Sequence, residues 1–464
     1  MTPEETLRVA VVGAGPAGFY AAGHLLAAER PVAVDLFDRL PTPFGLVRAG
    51  VAPDHPKIKS VVRVYEKTAR KEGFRFFGGI ELGRDLHRTD LLERYHAVVY
   101  AIGAATDRRL GIPGEDLPGS EAATSFVGWY NGHPDFVDHE FDLDIERVVV
   151  VGAGNVALDC ARMLALSLDE LRGTDCADYA IEPLVSDSVK EIVLLARRGP
   201  AQASFTNPEL LELGELEMAD VIVDPADLEL DPASQAWLES DEASKTTREN
   251  VRILREYAAR EPSGKPKRIV LRFLTSPVEI DGDGRVERVV IERNRLEPRE
   301  DGSLAARPTG ERETIEAGLV LRSIGYKGIA IPEIPFDERA GTIPNVAGRV
   351  VDGEQHVTGE YVTGWIRRGP SGVIGTNKKD GQEAAGSVLA DAEAGVLNAP
   401  PKDDDILDLL EERGAEPVDW GGWQRIDEAE VKAGEESGRP RVKLARYEEL
   451  LEAARSTAAS RASR

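Results

Sequence analysis

Short apolar runs that stop at glycine, each followed by an Ala-rich amphipathic stretch, recur along the chain. That alternation predicts βαβ units on parallel sheets. The run Leu7–Val12 leads into Gly13-Ala-Gly-Pro-Ala-Gly18, a helical stretch follows to about Glu29, and a second run, Val32–Phe37, ends at Asp38. Residues 41–60 (PTPFGLVRAGVAPDHPKIKS) break the pattern, because their Pro and Gly content excludes a regular element over most of the segment. Residues 61–71 read as a helix, and 74–82 and 96–102 as strands, the second of them followed by Gly103.

The pattern then restarts. Val148–Val151 is a run of the fully buried type, Gly152-Ala-Gly-Asn-Val-Ala157 is a turn, and a helix is expected to about Ser167. After a polar stretch to Ser188, the run Glu191–Ala196 ends at Arg197-Arg198. Residues 236–263 read as a polar, partly helical insertion, with strands expected at 268–275, 287–293 and 317–324. Two apolar runs that end in glycine and a polar residue, AIGAATDRR at 101–109 and RSIGYKG at 322–328, pair as crossings between domains. They predict an α/β fold of two Rossmann-like dinucleotide-binding domains. Residues 106–321 would form the second, inserted into a first assembled from 1–105 and 322–464. The last part of the chain reads as a helical extension ending in a frayed tail, STAASRASR.

Composition narrows the function. The 464 residues exceed what one core usually serves, which agrees with two or three domains. With 57 Lys and Arg against 82 Asp and Glu the net charge is −25, which argues against a general binder of nucleic acid or of an anionic membrane. Cys160 and Cys176 are the only cysteines, too few for an iron–sulfur cluster or an all-Cys zinc site and not a Cys-x-x-Cys pair. No metal site is expected, and so few thiols fit a reducing cytosol. Glu4 and Glu5 stand where a signal peptide wants positive charge, and Asn155, Asp159 and Arg162 interrupt the nearest approach to a membrane span. A cytoplasmic protein is expected. It is expected to be a monomer, because no heptad or repeat points to self-association.

The two glycine turns carry the candidate chemistry. In the first, Gly13 permits the tight turn, Gly15 lets backbone approach a pyrophosphate, and Gly18 lets helix and strand pack closely, with the helix N-terminus facing the phosphates. Asp38, twenty residues after Gly18 at the next strand end, is placed to take a ribose hydroxyl. In the second, Gly152, Gly154 and Ala157 repeat the pattern, but Arg197 and Arg198 end the following strand. A carboxylate would repel a 2′-phosphate, whereas two guanidiniums would clamp it. An acid at one site and arginines at the other fit FAD and NADP(H), the first tightly held and the second exchanging.

Several segments together resemble the adrenodoxin-reductase type of NADPH–ferredoxin reductase, particularly its bacterial members. They are VVGAGPAGFYAA, PTPFGLVRAGVAPDHPKIK, GIPGEDLPG, VVVVGAGNVALDCAR, ARRGPAQASFT, LRFLTSPVEI, GTIPNVAGRV and GEYVTGWIRRGPSGVIGTNKKDG, with RPRVKLA extending the match towards the end. The resemblance implies an FAD enzyme that takes a hydride from NADPH and passes single electrons to a small iron–sulfur ferredoxin, which supplies redox enzymes such as cytochrome P450s. It implies FAD contacts at Ala14, Asp38 (where members often carry Glu), Leu46, Leu82, Trp365, Gly372, Val373 and Ile374, with residues 372–377 opening a helix towards the flavin. It implies NADP contacts at Arg108, Gly154, Asn155, Val156, Ala157, Arg197, Arg198, Glu209 and Gly372, and places His55 and Glu212 near the reacting rings. Those two residues would orient nicotinamide and adjust charge beside the flavin, since hydride transfer needs no strong acid or base at carbon. A disulfide reductase is disfavoured by the missing thiol pair, a glutamate-synthase-type subunit by the missing cluster cysteines, and a sensor without turnover by the intact segment 364–377.

With no cluster of its own, the chain must hand electrons to another protein, and small ferredoxins are usually acidic. Two basic patches could receive one: Lys57, Lys59, Arg63, Lys67, Arg70 and Lys71, or Lys245, Arg248, Arg252, Arg255 and Arg260. The second is favoured, because the family docks its partner through basic residues of the NADP domain.

Overall fold

The alternation of side chains along the apolar runs becomes the two faces of a sheet. In β1 (Leu7–Val12), Val9 and Val11 enter one core and Ala10 and Val12 the other. Arg147–Val151 repeats this, with Val148 and Val150 on one side and Val149 and Val151 on the other. Strands buried on both faces need helices or a second sheet over each, which is the doubly wound arrangement. The computed structural model describes residues 5–456, so the expected frayed tail lies, from residue 457 on, outside the described residues.

Two compact units result: residues up to Thr106 together with those from Gly325 onward, and Asp107–Ile324 between them. The first unit opens with β1, α1 (Pro16–Leu25), β2 (Val32–Asp38), α2 (Leu46–Ala49), α3 (Pro56–Lys59), α4 (Val62–Ala69) and β3 (Phe74–Gly78). Its seven-stranded sheet has the order Asn345–Val346, Arg349–Asp352, Gln355–Val362, Ala97–Tyr100, β1, β2, β3. The strands from Gln355–Val362 to β3 run parallel, and the first two pair antiparallel at one edge. The second unit has a parallel sheet in the order Ser120–Ala122, Leu319–Arg322, Arg147–Val151, Glu191–Leu195, Lys267–Arg272, Ala219–Val223. A three-stranded antiparallel sheet, Thr275–Asp281, Arg288–Pro298 and Leu304–Glu316, belongs to the same unit.

Several elements differ from the sequence expectation for physical reasons. The first helix stops at Leu25 rather than about Glu29, because the chain must turn into β2 ahead of Pro31, which disfavours helix before it. The helix after the second glycine turn ends at Met163, and Ser167 instead caps the next helix, Leu168–Arg172, in a reciprocal capping box with Glu170. The strand expected at 74–82 ends at Gly78, where Gly79 turns the chain with φ +80°. The strand Leu304–Glu316 has no counterpart in the expectation. It is exposed along most of its length, so it lacks the apolar alternation that marks a strand. No helix among the described residues is long and apolar enough to cross a membrane.

The C-terminal extension is helical, as Ile406–Glu412, Trp420–Ser437 and Tyr447–Arg455, and ion pairs tie it to the first unit. Asp403, Asp404 and Asp405 pair with Arg8, Arg94 and Arg75 at 2.8, 2.6 and 2.7 Å. The fully buried Glu430 accepts from Arg48 of α2 at 2.5 and 2.8 Å, from Arg441 at 3.0 Å and from the Leu444 amide at 2.9 Å. Burial alone would push its carboxyl up. The two guanidiniums outweigh that and hold it below the usual carboxylate range. Arg48 also lies 5.4 Å over the Trp423 ring, so one cluster fixes both the extension and the loop 41–55.

Glu430→Ala strands two arginines in that cluster and is expected to cost about 3–5 kcal/mol of stability, read by urea unfolding. In the second unit, buried Lys267 donates to Leu164 O at 2.8 Å, capping the end of the helix Asn155–Met163, and burial lowers its pKa to about 8. The folded state therefore binds this proton less tightly than the unfolded chain. Stability should rise as pH increases from about 8 towards the unfolded lysine value. Lys267→Met should flatten that rise in melting temperature.

Candidate functional site

In the first unit the glycine turn sits where β1, β2 and the strand Ala97–Tyr100 end together. Gly13 has φ +111°, and a Cβ there would collide with the Ala101 carbonyl, so only glycine fits. Its amide donates to Phe37 O at 2.7 Å, and the Ala14 carbonyl accepts from Phe44 at 2.8 Å, which ties the turn to β2 and to the loop 41–55. Gly15 is the N-cap of α1, no side chain caps that end, and nothing lies within 4 Å of where its Cβ would be. Gly18 lies in the first turns of α1 and meets the Gly13 carbonyl, the close packing its position predicts. Asp38 ends β2, its Oδ2 accepting from the Ala14 amide at 2.7 Å and its Oδ1 from Leu40 at 2.9 Å. Burial raises its pKa, and the two amides work against the rise.

In the same unit Leu46 on α2 is 40% exposed and Val373 58% exposed, large exposures for aliphatic side chains. Leu82 follows β3 and pairs with Leu86. Trp365 begins the short helix Trp365–Arg368 with its ring 5.2 Å from that of Tyr326, and its buried Nε1 has no hydrogen-bond partner among the described residues. The same holds for Thr363 Oγ1 at the end of the strand Gln355–Val362. Gly372, Val373 and Ile374 precede the helix Thr376–Glu393, which opens at Thr376 and has no side-chain cap. Orphaned donors, exposed apolar residues and two uncapped helix starts in one unit fit a bound aromatic cofactor with a pyrophosphate.

The second unit repeats the construction. Gly152 has φ +149°, a Cβ there would strike the Ser323 carbonyl, and its amide donates to Leu195 O at 3.0 Å. The Ala153 carbonyl accepts from Ser204 at 2.9 Å. Gly154 is the uncapped N-cap of the helix Asn155–Met163, with Val156 half-buried and Ala157 fully buried. Asn155 Oδ1 accepts from the Thr206 amide at 2.8 Å, which orients the loop leading to Glu209. Arg197 is exposed and Arg198 half-buried, and among the described residues neither has an ion-pair partner. Burial lowers the Arg198 pKa, and the charges of Arg197 and Arg299 lower it further. A cluster of guanidiniums without a carboxylate fits an anion such as a 2′-phosphate. Arg299, at the turn after Arg288–Pro298, escapes a motif search because only the hairpin brings it near Arg198.

Glu209 is buried on the helix Asn207–Leu213, and Glu212 lies half-exposed on the same helix. Arg162, 2% exposed, holds both, at 3.1 Å from Glu209 and 3.7 Å from Glu212, and also pairs with Asp159 at 2.8 Å. Sequence reading missed this arginine as a site residue. It had appeared only as an interruption of an apolar stretch. His55 is buried at the start of α3 in the first unit, and Arg108 is exposed at the start of the second. Cys160 is fully buried, its thiol pushed up chiefly by burial, which suits packing rather than redox chemistry.

A family model for pyridine nucleotide-disulphide oxidoreductase matches residues 7–197. The chain is 50% identical over 459 residues to the NADPH-ferredoxin reductase FprA of Mycobacterium leprae (strain TN), covering 97% of this chain and 99% of that one. It is 40% identical over 463 residues to the mitochondrial NADPH:adrenodoxin oxidoreductase of Arabidopsis thaliana, covering 97% and 95%. A solved structure of Mycobacterium tuberculosis FprA in complex with NADPH matches with a TM-score of 0.91 at 48% identity, over 97% of this chain and 100% of that one. With its two Rossmann-like units, the chain therefore belongs to the adrenodoxin-reductase type of NADPH–ferredoxin reductases.

Proposed function

We propose that this protein is an FAD-dependent ferredoxin–NADP(+) reductase that binds FAD on the first unit, NADPH on the second, and an acidic iron–sulfur ferredoxin as acceptor. The observation that carries the reading is the contrast between two turns of one construction, one closed by Asp38 and the other by arginines with no ion-pair partner among the described residues. FAD, when bound, supplies the conversion between a two-electron hydride and single electrons, which side chains cannot perform. The chain's own residues bind and orient. Asp38 is positioned for a ribose hydroxyl, the uncapped start of α1 for the pyrophosphate, and Trp365 Nε1 and Thr363 Oγ1 offer donors to a polar ring. The uncapped start of Thr376–Glu393 places partial positive charge beside Gly372, Val373 and Ile374, which favours an anionic ring.

Arg197 and Arg198 select NADPH by its phosphate, Gly154 to Ala157 cradle its pyrophosphate, and Arg108 adds positive charge. Arg162 fixes the carboxylates of Glu209 and Glu212, so that Glu212 can hold a carboxamide N–H. His55, on the first unit, can adjust charge beside the flavin. The two buried thiols support residence in a reducing cytosol, and the protein is expected to act as a monomer.

The test is NADPH-driven reduction of a small acidic ferredoxin, followed by transfer to cytochrome c. Turnover with the ferredoxin present and little without it is expected. No ferredoxin-dependent turnover would contradict the reading. Charge-assisted hydrogen bonds contribute about 1.5–3 kcal/mol each, so two arginines on a 2′-phosphate should favour NADPH over NADH by about 10²- to 10⁴-fold. Arg197→Ala with Arg198→Ala should raise the KM for NADPH and leave that for NADH nearly unchanged. Equal losses with both cofactors would eliminate the clamp.

A further inference from the structure

The chain is strongly acidic, yet one stretch of its surface is not. Residues 56–72, PKIKSVVRVYEKTARKE, hold six Lys and Arg against two Glu. In the fold this stretch is nearly continuous helix: α3, a short link through Ser60 and Val61, and α4. Tyr65, fully buried and stacked 5.0 Å from Phe19 of α1, anchors one side of it. The other side exposes Lys57, Arg63 and Lys67, none of which has an ion-pair partner among the described residues, together with Ile58 (42% exposed) and Val64 (48% exposed). Free cations interleaved with exposed aliphatic residues make a surface suited to an acidic protein, because charge steers the encounter while apolar contact holds it.

The competing patch has fewer free cations. Segment 241–261 carries five basic and five acidic residues. On the helix Lys245–Ala258, Arg252 is clamped between Glu249, at 2.5 Å, and Glu256. Arg248 is spent on the backbone carbonyls of Leu238 and Ser240, and Arg260 lies 4.8 Å over the Tyr257 ring. Of the helical face that the i, i+4, i+7 spacing singles out, only Arg255 is left exposed without an ion-pair partner among the described residues, fewer free cations than the stripe offers.

The α3–α4 stripe also begins at the residue after His55, on the same loop as Leu46, and packs on the helix that starts at the first glycine turn. We infer that the stripe of Lys57, Arg63 and Lys67 with Ile58 and Val64 is the docking surface for the acidic iron–sulfur acceptor. The inference rests on the reductase activity proposed above. It puts the acceptor on the first unit, beside the loop expected to hold the flavin, rather than on the helix Lys245–Ala258.

Steady-state kinetics of the full-length holoenzyme with a purified acidic ferredoxin test it, with NADPH–ferricyanide reduction as the measure of the flavin site alone. Lys57→Glu, Arg63→Glu and Lys67→Glu combined should raise the KM for ferredoxin about tenfold or more and flatten its dependence on salt. Ferricyanide reduction should stay unchanged. Lys245→Glu with Arg255→Glu should change the ferredoxin KM less than about twofold. A triple variant with unchanged ferredoxin KM would overturn the inference, as would a larger effect from the Lys245 and Arg255 pair. A wild-type enzyme that reduces ferricyanide but no acidic ferredoxin would instead overturn the activity reading beneath it.

Discussion

Both dinucleotide turns hang on the same three backbone hydrogen bonds. The first strand's last carbonyl accepts from the strand beside it, Ala101 to Val12 at 2.7 Å and Ser323 to Val151 at 2.8 Å. The glycine amide donates to the end of the second strand, Gly13 to Phe37 and Gly152 to Leu195. The next carbonyl accepts from the loop beyond, Phe44 to Ala14 and Ser204 to Ala153. These bonds draw a neighbouring carbonyl into the space where a Cβ would sit, so glycine is obligatory at both positions. Everything that distinguishes the two units is built on this shared frame.

What differs is the charge at the end of the second strand. In the first unit Asp38 accepts from two amides, which offset part of the cost of burying it, and it keeps lone pairs for a neutral hydroxyl. In the second unit Arg197 and Arg198 repel each other and have no carboxylate partner among the described residues, a repulsion that an incoming anion relieves. The same logic of matched and unmatched charge runs outward. Asp403, Asp404, Asp405 and Glu430 are consumed in holding the C-terminal extension, whereas Lys57, Arg63 and Lys67 have no ion-pair partner among the described residues of a chain of net charge −25. Charges locked in pairs serve the fold, and unpaired ones are available for recognition.

Much of this was legible in the sequence because buried parallel strands write continuous apolar runs and tight turns write glycine. The runs at Leu7, Val32, Val148 and Glu191 became strands within a residue of their expected starts. The hairpin partner Leu304–Glu316 was not legible, since an exposed strand has no apolar signature. Arg162 and Arg299 were also hidden. One is a buried counter-ion whose partners Glu209 and Glu212 lie about fifty residues away in sequence, and the other reaches its neighbours only through a hairpin. The pairing of Arg252 on the helix Lys245–Ala258 was invisible for a related reason. Spacing reveals which residues share a face, but not that Glu249 and Glu256 close on Arg252.

The central claim is that one unit holds a flavin and the other selects NADPH by its phosphate. An anaerobic titration of the purified protein tests it most directly, following flavin absorbance as NADPH and, in a separate sample, NADH is added. Rapid bleaching with NADPH and slow bleaching with NADH is the predicted result. The absence of any flavin band after reconstitution with FAD, or equal rates with the two nucleotides, would contradict it.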